Sequence, residues 1–304
     1  MTHSYDVIII GGSYAGLSAA MALGRSLRRT LIIDGGEPCN RFAPASHNFI
    51  THDGEAPGTI ADAARRQVLA YDTVALVRDH AVGLSGKDGN FSLTTAAGES
   101  YTAKKLLFAT GLHDELPDLP GMRECWGKSV VHCPYCHGYE IREQPTGIMM
   151  NAEHTVNMVQ LIRNWTSDLT LFTDGPATFD LADLEGCDVR VVQEAVRELA
   201  HDGGQLQSVL LADGRREAVS ALYLHPKLRQ KCPLPVEAGC ELTEQGMLRV
   251  DDFDMTTVTG IYAAGDCTTM MRTVSFATGA GTRAGAMVNH ALVMERFGVE
   301  HVGS

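Results

Sequence analysis

Residues 5–36 read YDVIIIGGSYAGLSAAMALGRSLRRTLIIDGG, and the order of apolar runs and glycines in them decides the fold. Val7–Ile10 is a short apolar, β-branched run, the pattern of a parallel strand buried on both faces. Gly11, Gly12 and Ser13 interrupt it, and from Tyr14 onward apolar residues recur at helical spacing. A second buried run, TLIID, ends at Asp34. Strand, glycine turn, helix, strand is the first unit of a dinucleotide-binding fold. Gly11 and Gly12 let the chain reverse tightly, and a small residue at Ser13 lets the backbone approach a pyrophosphate. Ala15 and Gly16 let helix and strand pack closely, while the helix N-terminus offers N–H groups to the phosphates. Asp34 stands where a carboxylate accepts hydrogen bonds from ribose hydroxyls. The pattern departs from G-x-G-x-x-G at its middle position, Ser13.

Two later stretches belong to the same grammar. KKLLFATGLHDELPDLPG (104–121) is an apolar strand running into Ala109, Thr110 and Gly111. GIYAAGDCTT (260–269) is another strand, ending at Gly265 and Asp266, and a helix of small residues follows. Together they predict an α/β chain of two Rossmann-like, three-layer nucleotide-binding domains. A flavin-type domain of residues 1–112 and 243–304 is split by an inserted domain, 113–242. The insert repeats the pattern: TGIMM (146–150) reads as strand, TVNMVQLIRNW (155–165) as helix, LTLFTDG (169–175) and VSALYLHP (219–226) as strands. Where its glycine turn belongs, the chain has Asn151, Ala152, Glu153 and His154. A carboxylate there repels phosphate, and the larger side chains block close approach.

The bulk composition narrows the partners. With 44% hydrophobic and 20% charged residues the 304-residue chain has the makeup of an ordinary globular protein. A net charge of −12 argues against nucleic acid and anionic membranes as main partners. No apolar run approaches the roughly 20 residues that span a bilayer. The N-terminus enters a strand almost at once, with no secretory signal pattern. Eight scattered cysteines are unlike a disulfide scaffold, which favours the cytoplasm.

VVHCPYCHGYE (130–140) holds the only closely spaced pair, Cys133 and Cys136. Followed by His137 it spells a haem attachment signature, half of a zinc site, or a redox-active dithiol. A cytoplasmic setting weakens haem. Zinc wants four ligands, for which His132 and His137 are the near candidates, and no metal site is expected.

These motifs, in this order along almost the whole chain, resemble the low-molecular-weight thioredoxin reductase superfamily of flavoproteins. The resemblance implies tightly bound FAD, a homodimer and a dithiol or disulfide substrate, either a small molecule or a thioredoxin-like protein. It also implies that the cysteine pair shuttles between disulfide and dithiol against the flavin. Cys133 would exchange with substrate and Cys136 would be nearest the flavin, with His137 as acid/base where relatives carry an acidic residue. A helix start at the pair would stabilise a thiolate. Thr273 and Val274 would offer backbone N–H groups to the flavin ring, and Asp266 would hold the ribityl or phosphate region. Arg41 would reach a phosphate, and the 46–54 loop would bring His47 and Asn48 beside the flavin. Cys39 is read as a buried loop cysteine, the alternative being a second thiol in the electron path.

Departures from the family bear on the electron source. The second glycine motif is missing, and the basic cluster that holds the 2′-phosphate of NADPH is replaced by FTDGPATF (172–179). Asp174 there would suit NADH, but little remains to hold a pyrophosphate. Together with CHGYE this is similar to the dithiol-oxidase branch of gliotoxin and holomycin type, in which a substrate dithiol reduces the pair and oxygen reoxidises FAD. Rival readings are a disulfide reductase fed by ferredoxin, another flavoprotein or NAD(P)H, and a flavin-bound redox sensor without turnover.

Overall fold

Successive side chains of a strand point to opposite faces, so four consecutive buried residues need cover on both. Val7, Ile8, Ile9 and Ile10 have it in the computed structural model, which describes residues 3–298. The ends of the expected flavin domain, residues 1–2 and 299–304, lie outside the described residues. His3–Ile10 lies inside a seven-stranded sheet. Thr30–Ile33 and then Val74–Val77 follow on one side, and Ser100–Phe108 flanks it on the other, all parallel. The first half of Ser100–Phe108 pairs antiparallel with Asn90–Thr95, and its second half pairs parallel with Ile261–Ala263. Ala81–Lys87 completes the sheet.

One face, carrying Val7, Ile9, Ile32 and Leu107, packs under the helices Tyr14–Arg25 and Val274–Arg296. The other, carrying Ile8, Ile10, Leu31 and Leu106, packs with Phe91, Leu93 and Leu248. The two helices cross closely: a Cβ at Gly281 would overlap the carbonyl of Ala15. That contact accounts for the run of Gly and Ala in a helix with little amphipathic pattern.

Lys105, only 2% exposed, sits within this sheet. Its ammonium lies 2.6 Å from the Asp88 carboxylate and also pairs with Glu295 of the C-terminal helix. The carboxylates reach water and the ammonium does not. An Asp88→Asn/Glu295→Gln protein therefore strands a buried charge and should lose about 3–5 kcal/mol. Lys105→Met should cost far less, because it removes the charge that has no access to water. Urea unfolding midpoints of the two variants check the asymmetry.

The chain divides into two compact units: Met1–Arg41 with Phe49–His113 and Leu228–Ser304, and Phe42–Asn48 with Asp114–Lys227. The second contains a five-stranded parallel sheet, in the order Arg190–Val192, Leu169–Phe172, Thr146–Met149, Ala221–Leu224, Val130–Val131. The helix Thr155–Ile162 buries Met158, Val159 and Ile162 against Ile148, Leu171 and Tyr223 of that sheet. A three-stranded antiparallel sheet, Val196–Asp202, Gln205–Leu211 and Arg216–Ala218, accompanies it. Both units are thus Rossmann-like. Among the described residues no helix is long and apolar enough to cross a membrane.

Candidate active site

In the first unit the three glycine-containing motifs meet at the carboxyl ends of parallel strands, where open α/β sheets bind ligands. Gly11 has φ +106°, and a Cβ on it would lie 2.7 Å from the carbonyl carbon of Ala109. Gly12 donates its N–H to Asp34 Oδ1 at 3.0 Å, and Asp34 Oδ2 pairs with Arg78. Each carboxylate oxygen has a further lone pair for a ribose hydroxyl. Ser13 is extended (φ −95°, ψ −163°), so the departure from glycine needs no left-handed backbone. It precedes the helix without a side-chain cap, and Ala15 and Gly16 are buried in the first turn. Thr110 Oγ1 is buried with no hydrogen-bond partner. Gly111 has φ +65°, and the backbone of Thr110 and Gly111 bonds Cys267, next to Gly265 and Asp266. A tight phosphate turn, an uncapped 12-residue helix, a ribose carboxylate and an orphaned hydroxyl fit FAD.

The surroundings of this cradle differ in detail from expectation. Cys39 lies partly buried on a 3-10 turn, Cys39–Phe42, with its Sγ 3.5 Å from Asp266 Oδ2, so it is not a buried loop cysteine. Arg272 Nε lies 3.5 Å from the same carboxylate oxygen. Arg41 is exposed and donates to the Pro38 carbonyl at 2.9 Å. Thr273 caps the C-terminal helix, accepting from the Phe276 N–H at 3.1 Å, and Val274 opens that helix. Burial pushes the Cys267 thiol up to about 12 and raises those of Cys125, Cys232 and Cys240, which makes all four inert.

The cysteine pair belongs to the second unit. The edge strand Val130–Val131 delivers the chain to Cys133, which flanks a single helical turn, Pro134–His137. Proline at the first position suits the turn, since its N–H would be unpaired there. Cys133 and Cys136 are joined in a disulfide, so their sulfurs are not thiolate ligands. Among the described residues no group of three or more His, Cys, Asp or Glu is placed to hold a metal ion. Tyr135 stands edge-on to Trp165, ring centroids 5.8 Å apart. His132 stacks on Trp126. Burial, and secondarily the charge of His47, push His137 down to about 4, so it is neutral at pH 7. His47 and Asn48 lie in the short segment that folds with this unit, and His47 Nδ1 is 3.6 Å from Glu140 Oε1.

Beyond the strands of the second sheet, two polar side chains bond to the protein's own loops and strands. Asn151 donates to the Pro176 carbonyl at 2.9 Å and accepts from the Thr178 N–H at 2.7 Å and its hydroxyl at 2.9 Å. Asp174 takes a left-handed conformation (φ +51°) and accepts from Val196 N–H at 2.7 Å. Its carboxylate anchors a strand, where the sequence suggested a ribose ligand. Arg78, Trp165 and the His47–Glu140 pair carried no signal in the sequence, since each meets its partner across a long stretch of chain.

The model of the family described as pyridine nucleotide-disulphide oxidoreductase matches residues 5–158 and 180–281. The chain is 30% identical over 311 residues to thioredoxin reductase sirT of Leptosphaeria maculans, covering 94% of this chain and 93% of that one. The crystal structure of an oxidoreductase from Agrobacterium tumefaciens superposes with a TM-score of 0.90 at 39% identity, covering 97% of this chain and 99% of the other. A putative thioredoxin reductase TrxB from Bacillus anthracis gives 0.91 at 32% identity, covering 96% and 100%.

Proposed function

The chain belongs to the pyridine nucleotide-disulphide oxidoreductase family, and we propose that within it the protein is an FAD-dependent dithiol oxidase that passes electrons to oxygen and takes none from NADPH. The observation that carries this reading is Asn151. A nicotinamide dinucleotide needs an open glycine turn at the strand ends, and here the Asn151 amide bridges that place to Pro176 and Thr178. A turn closed in this way favours entry of the electrons through the Cys133–Cys136 pair.

FAD, held by Gly11, Gly12, Ser13, Ala15, Gly16, Asp34, Ala109, Thr110, Gly111, Gly265 and Asp266, would supply a two-electron acceptor that oxygen can regenerate. Arg41, Thr273 and Val274 complete the proposed flavin contacts within the first unit. The residues of the pair do the sulfur chemistry. One substrate thiol loses its proton to neutral His137 and attacks Cys133; the Cys133–Cys136 bond breaks and its electron pair leaves on Cys136. The second substrate sulfur then displaces Cys133. Two substrate S–H bonds and one protein S–S bond become one substrate S–S bond and two cysteine thiols. The substrate is a small-molecule dithiol or a protein of thioredoxin type. The proposed setting is a cytoplasmic homodimer, in keeping with six further cysteines that are free thiols.

The test is anaerobic reduction of the bound flavin, followed at its visible absorbance band. Dithiothreitol alone should bleach it, and admitting air should restore the colour. NADPH and NADH should leave it unchanged for many minutes. Rapid bleaching by either nicotinamide would restore a conventional reductase.

A further inference from the structure

The Asp34 carboxylate, at one edge of the phosphate cradle, is held from two elements at once. The Gly12 N–H donates to Oδ1 at 3.0 Å, and the Arg78 guanidinium donates to Oδ2. The Asp34 side chain is 12% exposed and that of Arg78 47%. Thr30–Ile33 and Val74–Val77 are parallel neighbours with Ile33 beside Val77. Asp34 and Arg78 therefore stand one residue beyond the last pair, at the carboxyl ends where open α/β sheets take their ligands.

Arg78 stands on a fixed backbone. Before it, the Val77 carbonyl accepts from the Asp34 N–H at 3.0 Å. After it, Asp79 accepts from the His80 N–H at 2.7 Å and the Ala97 N–H at 3.2 Å, and the His80 carbonyl accepts from the Ala96 N–H at 2.9 Å. His80 in turn lies so close on the chain after Asp34 that a Cβ at Gly35 would fall 2.2 Å from its ring. The last torsion of an aspartate is broad, so a carboxylate tied at Oδ1 alone could turn. Tied at both oxygens, it keeps one plane, and each oxygen still has a lone pair to offer. The guanidinium keeps its charge at every working pH, so this tie does not depend on a proton.

We infer that Arg78 is a positioning residue for the adenosine end of the flavin cofactor. It fixes the plane of the Asp34 carboxylate so that the remaining lone pairs accept from the ribose hydroxyls. This rests on the FAD reading given above. Arg78 reaches the cofactor through Asp34, and its effect is on which flavin is held. Because about half of its side chain is exposed, its loss should leave the fold in place.

The experiment is an exchange competition on the full-length flavoprotein. Protein is equilibrated with equal excesses of FAD and of an FAD analogue lacking both hydroxyls of the adenosine ribose, until the bound ratio stops changing. The bound flavins are then released and separated. Wild type should favour FAD by at least about tenfold, the scale of hydrogen bonds to a charged group. In Arg78→Met the preference should fall to about twofold or less, and Arg78→Lys, which keeps a cation, should restore it to within about twofold of wild type. Asp34→Asn/Arg78→Met should be no less selective than Asp34→Asn alone, because the two residues act as one unit. An unchanged preference in Arg78→Met overturns the proposal. A stronger one also overturns it, since Arg78 would then be shielding the carboxylate from ribose. Independent, additive losses in the double variant would mean that Arg78 does not work through Asp34. A wild type that holds neither flavin overturns the cofactor reading itself, whereas one that holds both equally overturns only the role of the Asp34–Arg78 pair.

Discussion

A Cys136→Ser protein should keep its yellow flavin and lose its reduction by dithiols by at least about a thousand-fold, the scale of removing a residue that works as part of a catalytic unit. Serine fits the turn, because the Gly138 N–H to Pro134 carbonyl bond (2.7 Å) involves no side chain. The chemistry does not survive, because an oxygen at 136 cannot close a disulfide with Cys133. A thiol at 133 can at most capture an oxidised substrate as a mixed disulfide, which no neighbouring sulfur resolves. The measurement is the anaerobic bleaching rate with dithiothreitol, beside the ratio of flavin to protein absorbance. Wild-type bleaching would mean that electrons bypass the pair. Loss of flavin would mean that the pair is structural.

Gly11→Val should purify without flavin. The position has φ +106°, outside the range of L side chains, and the added Cβ would drive into the Ala109 carbonyl. Relief means moving the Ala109–Thr110 backbone, which forms part of the proposed cradle. The strain itself costs on the order of 1–3 kcal/mol. Losing a ligand present at a thousand times its dissociation constant removes about 4 kcal/mol more. Ser13→Gly provides the control: it restores the glycine of the ordinary pattern at an extended, negative-φ position and should keep flavin bound. Gel filtration followed by the flavin absorbance ratio reads both. A Gly11→Val protein with a full complement of flavin would place the cofactor elsewhere.

Much of this molecule was legible before any coordinates, because its signals are local. Four consecutive apolar β-branched residues required cover on both sheet faces, and Val7–Ile10 has it. Tight glycine turns between strand and helix have few solutions, and Gly11–Gly16 adopts the one that leaves a helix N-terminus open. A Cys-Pro-Tyr-Cys sequence can start a helix, and Pro134–His137 is one turn of it. Periodicity and turn chemistry act over a few residues, so a reader of sequence meets cause and effect side by side.

The tertiary structure decided what those residues meet. No pattern in SHNF announces that 42–48 leaves its neighbours and carries His47 to Glu140, 93 residues away, where imidazole and carboxylate stand 3.6 Å apart. Nor does Asp174 announce that its carboxylate goes to the Val196 N–H, or Asp34 that Arg78 shares it. The absence of glycines at 151–154 predicted a poor nucleotide site, but only the fold shows Asn151 bridging the gap to Thr178. Such contacts depend on where long connections return to the strand ends. That is set by packing of whole sheets and helices, and a hydrogen bond between distant residues leaves no period behind it.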